Sequence, residues 1–213
     1  MKKILFGIMV LAWVMVAPIP TMAAGINISI GIPLPPPIVF RAPPQVIVIP
    51  DTDDVYAVPD IDVDVFFWNG WWWRPWQGRW YRSRYYDRGW GYYDSIPTFY
   101  FDVDPGWRGY YRNHSWHEHR WNYERIPNPR LQKNWKSWHD NRYWGGKRTW
   151  GVQNYRVPPQ QQKQEWRHQR EQEYHGRPEV QKHQQWREEQ QRKGEHKGRE
   201  EGKEERGKGG RND

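Results

Sequence analysis

Apolar and polar residues alternate strictly from Asp60 to Val65. Side chains on an extended strand point to opposite faces in turn, so this pattern is typical of a β-strand. It places three aspartates on one face and Ile61, Val63 and Val65 on the other. The pattern therefore predicts a strand with one acidic face and one apolar face.

Tight turns are predicted after this strand. Asn69-Gly70 lies between two aromatic runs, at 66–68 and 71–74, and both residue types tolerate the positive φ that a type I′ hairpin turn requires. Gln77-Gly78 predicts a second turn, followed by a strand over 79–85. Further strands are predicted at 55–58, 92–93 and 98–103. Consecutive tryptophans 71–73 alternate faces, so Trp72 points away from its two neighbours.

One helix is predicted over about 129–143. Asn128 is a good capping residue, and proline suits the first helical position that follows it. Leu131, Trp135 and Trp138 then share one helical face, and Gly145-Gly146 ends the helix. We expect this face to pack its tryptophans on the sheet.

The first 23 residues are interpreted as a secretory signal peptide. Two lysines precede an apolar run from residue 4 to 19, and small residues before position 24 suit a cleavage site. An uncleaved membrane anchor is the alternative, because the run approaches spanning length. After cleavage, no further segment is long and apolar enough to span a membrane. We therefore expect an exported protein in the periplasm, on the outer surface or in the medium.

Residues 24–53 form a Pro-rich segment in which prolines alternate with isoleucine and valine. The run 35–37 favours polyproline II, and 38–40 and 46–49 are predicted as short edge strands. We favour an extended arm laid across the domain, because the interleaved apolar residues need burial. A docking segment for a polyproline-binding partner is the alternative.

The region from residue 157 to 213 is rich in Gln, Glu, Arg and Lys and has few apolar residues. It cannot bury enough apolar surface to offset its ordering entropy, so we expect transient helices either side of 176–178 and then disorder. The fold class is therefore a small α+β domain at 54–156. It consists of an antiparallel β-meander of hairpins and one packed helix, between an extended arm and a disordered or transiently helical tail.

The charge distribution points to the middle of the chain. The net charge is +8, and residues 67–156 hold 16 basic against 7 acidic residues, together with most of the 17 tryptophans. The chain has no cysteine, which excludes disulfides, thiol nucleophiles and cysteine-ligated metals. No Gly-x-Ser-x-Gly or phosphate-binding loop is present, and no poised carboxylate pair is evident. We therefore predict a non-enzymatic protein without a cofactor.

The aspartates of the alternating strand have two interpretations. Asp60, Asp62 and Asp64 are expected to form cross-strand ion pairs with Arg79, Arg82 (or Tyr81) and Arg84. A shared cation is the alternative, but alternate positions on a strand are about 7 Å apart, which is too far for one ion.

Exposed aromatic and basic side chains are the predicted binding site. A domain this small should leave one sheet face in solvent, with tryptophan beside arginine. Indole faces and guanidinium groups suit sugars that carry acidic groups. The predicted ligand-binding residues are Trp72, Arg74, Trp76, Arg79, Tyr81, Arg82 and Arg84. Candidate ligands are peptidoglycan, lipopolysaccharide or another anionic envelope polysaccharide.

Three other functions remain open. Single-stranded nucleic acid uses the same combination of stacking and positive charge, although export makes it the weaker candidate. A purely structural role for the aromatic core is another alternative. The third is a metal site at His114, His117 and His119, with Glu118, His139 or Asp140 completing the ligand set.

The features occur in a distinctive order along the chain. Residues 60–83 read DIDVDVFFWNGWWWRPWQGRWYRS, and residues 131–139 read LQKNWKSWH. In this order, between a Pro-rich segment and a polar tail, the chain resembles a group of uncharacterised exported bacterial proteins with the same aromatic hairpin and Asn-Trp-Lys-x-Trp helix. The resemblance covers roughly residues 26–145. It implies export and these domain limits, and it implies no activity.

Overall fold

The computed structural model describes residues 32–208. The predicted signal peptide and the first residues of the Pro-rich arm lie outside this range. Within it, no helix combines the length and the hydrophobicity that a membrane span requires.

The architecture is α+β, as predicted. Residues 32–208 contain nine strands, which are β1 (Gln45–Val48), β2 (Tyr56–Ala57), β3 (Phe66–Trp68), β4 (Trp71–Trp76), β5 (Arg79–Ser83), β6 (Gly91–Tyr93), β7 (Ser115–Trp116), β8 (His119–Arg120) and β9 (Ile126–Pro127). The four α-helices are α1 (Trp107–Arg112), α2 (Asn128–Asp140), α3 (Gln160–His175) and α4 (Pro178–Lys208). Short helical turns occupy Thr98–Asp102, Tyr143–Lys147 and Thr149–Gly151.

Seven strands form one antiparallel sheet in the order β6-β5-β4-β3-β2-β1-β9, and β7 and β8 form a separate hairpin. The first six strands are a meander, so each pairs with the next along the chain. The predicted type I′ turn is confirmed, because Asn69 and Gly70 have φ of 48° and 75°. Gln77 and Gly78 likewise have φ of 49° and 70° in the second turn.

Both faces of the sheet are covered, which contradicts the expectation that one face meets solvent. On one face, Phe66, Trp73 and Trp80 pack against the turn at Thr98–Asp102, α1 and the β7–β8 hairpin. On the other face, Phe67 and Trp72 pack against α2 and the residues that follow it. The buried tryptophans are 72, 73, 80, 107, 116, 121, 138, 144 and 150. Most of the tryptophans therefore build the core.

The alternating segment at 60–65 is a loop, so the strand prediction there is wrong. The Val58 N–H donates to the Val65 carbonyl at 3.0 Å, which closes residues 59–64 into the connection between β2 and β3. The Arg108 guanidinium binds the carbonyls of Ile61 and Val63 at 2.6 and 2.8 Å. These carbonyls are therefore satisfied by a side chain and not by a sheet partner.

The predicted partners of the aspartates are also wrong. Asp64 pairs with Arg108 at 2.9 Å, and Asp60 pairs with Arg125. Because these arginines lie on α1 and before β9, the aspartates fasten the β2–β3 loop to distant segments of the chain and do not pair across the sheet.

Three further strand predictions are corrected. The segment at 98–103 is a 3₁₀ helix, in which the Tyr100 N–H donates to the Pro97 carbonyl at 3.0 Å. Residues 38–40 are not part of any strand. The predicted strand at 46–49 exists as β1, but it lies between β2 and β9 and not at an edge. The strand pairings therefore place the end of the Pro-rich segment inside the sheet.

The predicted helix is α2, and its buried face is confirmed. Leu131 is fully buried, Trp138 is buried, and Trp135 is half-buried against the same cluster. The helix begins one residue earlier than predicted, with Pro127 at the cap position. It ends at Asp140, before the glycines at 145 and 146, because Arg142 adopts a left-handed conformation with φ of 47°.

The tail is helical, and its helices break at Gly176 and Arg177, as the sequence predicts. The expectation that its few apolar residues find no burial is wrong for the first part of the tail. Tyr174 and Val180 are each 3% exposed and pack on Phe101. The Trp80 indole donates to the Tyr174 hydroxyl at 2.9 Å. The segment around the break between α3 and α4 therefore packs against the β4–β5 turn.

Gly78 lies in this turn at its contact with the tail. We expect Gly78→Ala to weaken this contact and to lower the free energy of unfolding. An added Cβ lies 2.3 Å from the Glu179 carbonyl oxygen, and Gly78 has a φ of 70°. The left-handed conformation alone costs alanine about 1–2 kcal/mol in unfolding free energy. Gly109→Ala is the matched control, because its Cβ meets nothing within 4 Å. Urea denaturation followed by circular dichroism measures both, and equal effects would contradict this contact.

His183 makes the docking of α4 dependent on pH. Burial, with the nearby Arg79 and Arg187 guanidinium groups, lowers its pKa to about 4. A detached helix restores the ordinary value, so docking is strongest above pH 6.5 and weakens as the pH falls from 6.5 toward 4. An NMR titration of the imidazole should show the lowered pKa, and Arg79→Gln should raise it. An ordinary pKa that is insensitive to Arg79→Gln would show that α4 does not dock here.

Candidate functional site

The β4–β5 register divides the predicted ligand-binding residues between the two faces of the sheet. Arg74 pairs with Tyr81, and Trp76 pairs with Arg79. Because strand side chains alternate, one face carries Trp72, Arg74, Trp76, Arg79 and Tyr81. Arg82 and Arg84 lie on the opposite face, with Trp71 and Trp73. The sequence therefore predicted one site from residues that two faces separate.

The Pro-rich arm covers the first of these faces. The Arg74 guanidinium donates to the Pro36 carbonyl at 2.6 Å, and the Tyr81 hydroxyl donates to the Pro33 carbonyl at 2.7 Å. Both carbonyls belong to the Pro-rich arm, whose backbone has no sheet partner over residues 32–40. The contacts favour the interpretation of this segment as an arm laid across the domain.

Burial argues against ligand contact for three of the predicted residues. Trp72 is 1% exposed, Tyr81 is fully buried and Arg74 is 3% exposed. Burial also lowers the pKa of Arg74 and raises that of Tyr81 to about 12, because each charged form is desolvated. The prediction that Trp72 is an exposed stacking platform is wrong, because its indole is part of the core.

The two remaining predicted residues on this face, Arg79 and Trp76, also contact other side chains of the protein. The Arg79 guanidinium lies over the Trp186 ring of α4, 5.3 Å from its centroid. Trp76 is half-buried, with its ring 6.2 Å from that of Tyr81. The structure thus uses these two side chains in contacts within the chain.

The opposite face presents arginines stacked on an aromatic ring. The Arg84 guanidinium lies 3.6 Å from the Trp71 ring centroid, and that of Arg82 lies 4.6 Å from it. Arg82 also lies 4.8 Å from the Tyr93 ring on β6. We call Trp71, Arg82, Arg84 and Tyr93 the Trp71–arginine cluster. Arg84 is exposed and the other three are half-buried.

The charge of this cluster has no counter-charge among the described side chains. Arg84 donates to the Gly70 carbonyl at 2.8 Å, and within residues 32–193 neither Arg84 nor Arg82 forms an ion pair with a carboxylate. By contrast, Arg108, Arg125, Arg167 and Arg170 are each paired with an aspartate. The stacked arginines therefore keep donors for an anion from outside the chain.

The predicted histidine cluster does not gather into a site. His114 stacks on Tyr123, with the ring centroids 5.0 Å apart. The His117 imidazole lies 3.4 Å from an Asp104 oxygen, whereas His119 packs edge-on against Tyr155. Across the described residues, these three imidazoles are not part of any group of three ligand atoms within 4.8 Å of one another.

Two members of the Trp71–arginine cluster were not among the predicted residues. Trp71 and Tyr93 were assigned to strands, but the sequence does not give the register that brings them beside Arg82 and Arg84. The signal that could have found Trp71 is the hairpin itself, because extending the pairing of Trp73 with Arg82 by two residues places Trp71 opposite Arg84.

Comparison of the chain with protein-family models, with curated proteins and with solved structures gave no significant match.

The Tyr81 hydroxyl is expected to hold the arm in place. Tyr81→Phe removes the hydrogen bond to the Pro33 carbonyl and should weaken arm docking by about 1 kcal/mol. Urea denaturation followed by circular dichroism should then show a free energy of unfolding that is lower by about this amount. Tyr85→Phe is the matched control, because Tyr85 is 52% exposed and its ring contacts Arg88. Equal free energies of unfolding for Tyr81→Phe and Tyr85→Phe would contradict this role of the hydroxyl.

Proposed function

We propose that this protein is a non-enzymatic, exported binding module. Its Trp71–arginine cluster recognises the carboxylate or phosphate groups of envelope glycans such as peptidoglycan. The observation that carries the proposal is the pair of guanidinium groups at Arg82 and Arg84, stacked on aromatic rings without a carboxylate partner among the described side chains.

Stacking prepares these guanidinium groups for an anion. A ring beneath the planar group restricts its rotation and leaves its N–H donors at the edge of the stack, where they fit a carboxylate or phosphate in two parallel hydrogen bonds. The two long side chains are already ordered in the free protein, so less conformational entropy is lost when the ligand binds.

The mode of recognition differs from the one expected from sequence alone. Because Arg84 lies 3.6 Å from the Trp71 ring centroid, it covers a face of the indole on which a sugar would otherwise stack. The proposed contact is therefore guanidinium with an acidic group, and not indole with a sugar ring. Binding of this kind weakens as salt is added, because the attraction between charges is screened.

The charge of the chain supports the same ligand class. The segment that carries the cluster has a large excess of basic residues, and a positive surface raises the local concentration of polyanions. The predicted signal peptide supports an envelope setting, where anionic glycans are abundant.

The test is co-sedimentation of the processed chain, residues 24–213, with insoluble peptidoglycan at low salt. We expect the double variant Arg82→Gln/Arg84→Gln to lose about tenfold or more in affinity for each lost charge-assisted contact. The matched control is Arg41→Gln/Arg112→Gln, which removes the same charge from two exposed sites elsewhere. Retention by the control but not by the first variant supports the proposal.

Two further experiments identify the chemistry of the ligand. Amidation of the peptidoglycan carboxylates should remove binding if those groups are recognised. Single-stranded DNA tests the nucleic-acid alternative, and tighter retention on DNA than on peptidoglycan would overturn the proposal. Equal losses in both double variants would also overturn it, because they would show general attraction between charges and no site.

A further inference from the structure

The loop between β1 and β2 holds two adjacent aspartates in fixed positions. The Thr52 hydroxyl donates to the Ile49 carbonyl at 2.7 Å and accepts the Val55 N–H at 3.2 Å, which closes the loop on itself. Asp54 has a left-handed conformation with φ of 52°. These constraints bring Asp53 and Asp54 to the same side of the loop, facing the end of α2.

The last turn of α2 places His139 opposite these carboxylates. The His139 Nδ1 atom lies 3.7 Å from Asp53 Oδ1 and 3.9 Å from Asp54 Oδ2. The three ligand atoms lie within 4.8 Å of one another. Two ligands of a tetrahedral zinc ion are about 3.4 Å apart, so only a small contraction would bring these atoms to coordination distance.

Asp54 carries an unpartnered oxygen that points into this group. Its side chain is 8% exposed, and Oδ2 is buried with no hydrogen-bond partner. His139 Nδ1, at 3.9 Å, is too far away to donate to it. A buried carboxylate oxygen without a partner is costly, and a bound ion is one of the groups that satisfy such an atom in native proteins.

The end of α2 favours a cation at this site. The carboxyl end of a helix favours positive charge, and His139 lies in the last turn of α2. Arg142 and Lys163 line the cavity beside the two aspartates and oppose this effect, so an ion would have to be held by direct coordination.

We propose that Asp53, Asp54 and His139 bind one divalent transition-metal ion, with zinc as the fitting example. Imidazole with carboxylates is a ligand set that zinc and its neighbours accept, whereas calcium requires six to eight oxygen ligands. Asp53 and His139 are 74% and 43% exposed at their side chains, so an ion has a path of entry and an open coordination position. Sequence alone offered His139 only as a supplement to the histidines at 114–119.

The experiment is isothermal titration of the processed chain with zinc chloride in a buffer that does not bind metal. We expect one equivalent to bind. Asp54→Asn and His139→Gln should each weaken binding by about tenfold or more, since loss even of an outer-shell partner has an effect of that size. The control is His114→Gln/His119→Gln, which removes two imidazoles outside the proposed site and should retain the zinc equivalent.

A second measurement separates ligand loss from misfolding. Asparagine tolerates a left-handed backbone, and Asp54→Asn removes an unpartnered buried charge. We therefore expect the metal-free variant to melt no lower than the metal-free native chain. Zinc should raise the melting temperature of the native chain but not that of Asp54→Asn.

Three results would overturn the proposal. The first is the absence of a zinc equivalent in the native chain. The second is zinc affinity in Asp54→Asn and His139→Gln equal to that of the native chain, which would show that these residues do not bind the ion. The third is loss of zinc from the His114→Gln/His119→Gln control alone, which would assign binding to the histidine segment.

Discussion

The indole N–H is the group on which this structure depends. A core built from tryptophan buries many such donors, and each one buried without an acceptor costs free energy. For three of them the chain supplies an acceptor from a distant position: Trp80 donates to the Tyr174 hydroxyl, Trp116 to an Asp51 oxygen, and Trp144 to the Tyr56 hydroxyl, whereas the Trp150 indole N–H is buried without one. Each of these bonds joins an element to one that follows or precedes it by many residues. The aromatic core therefore fixes how the outer elements dock.

The apolar area of the aromatic rings explains why both faces of so small a sheet are covered. Phe66, Trp73 and Trp80 need one layer of partners, whereas Phe67 and Trp72 need another on the opposite side. The 3₁₀ turn and α1 supply the first layer, and α2 supplies the second. At Trp71 the exposed side chain is an arginine that lies over the face of the indole.

Local patterns predicted the elements well where their cause is local. Asn69-Gly70 sets its hairpin through backbone freedom alone, and Leu131 with Trp138 sets the buried face of α2 through helical spacing. Prediction failed where a side chain from a distant part of the sequence determines the local backbone structure. The loop at 59–64 owes its shape to Arg108, which binds the carbonyls that a strand would use.

The candidate site could be predicted only in part. Arg82 and Arg84 were recognised by residue type, but their face depends on strand register. Trp72 and Tyr81 were assigned to solvent because nothing in their own segment shows that α2 and the Pro-rich arm, which come from distant parts of the chain, bury their face. The acidic loop at 51–54 gave no signal, because its partner His139 comes from the end of a helix that lies far along the chain.

The position of β1 has a consequence for how the molecule folds. Strands β1 to β6 pair in sequence order and need only short loops to close, so their contacts form at little entropic cost. The pairing of Val46 with Ile126 is different, because it closes a loop that contains most of the domain. Loop closure of that length slows the formation of the last contacts. The meander should thus assemble early, and the β1–β9 edge should be the late, rate-limiting step.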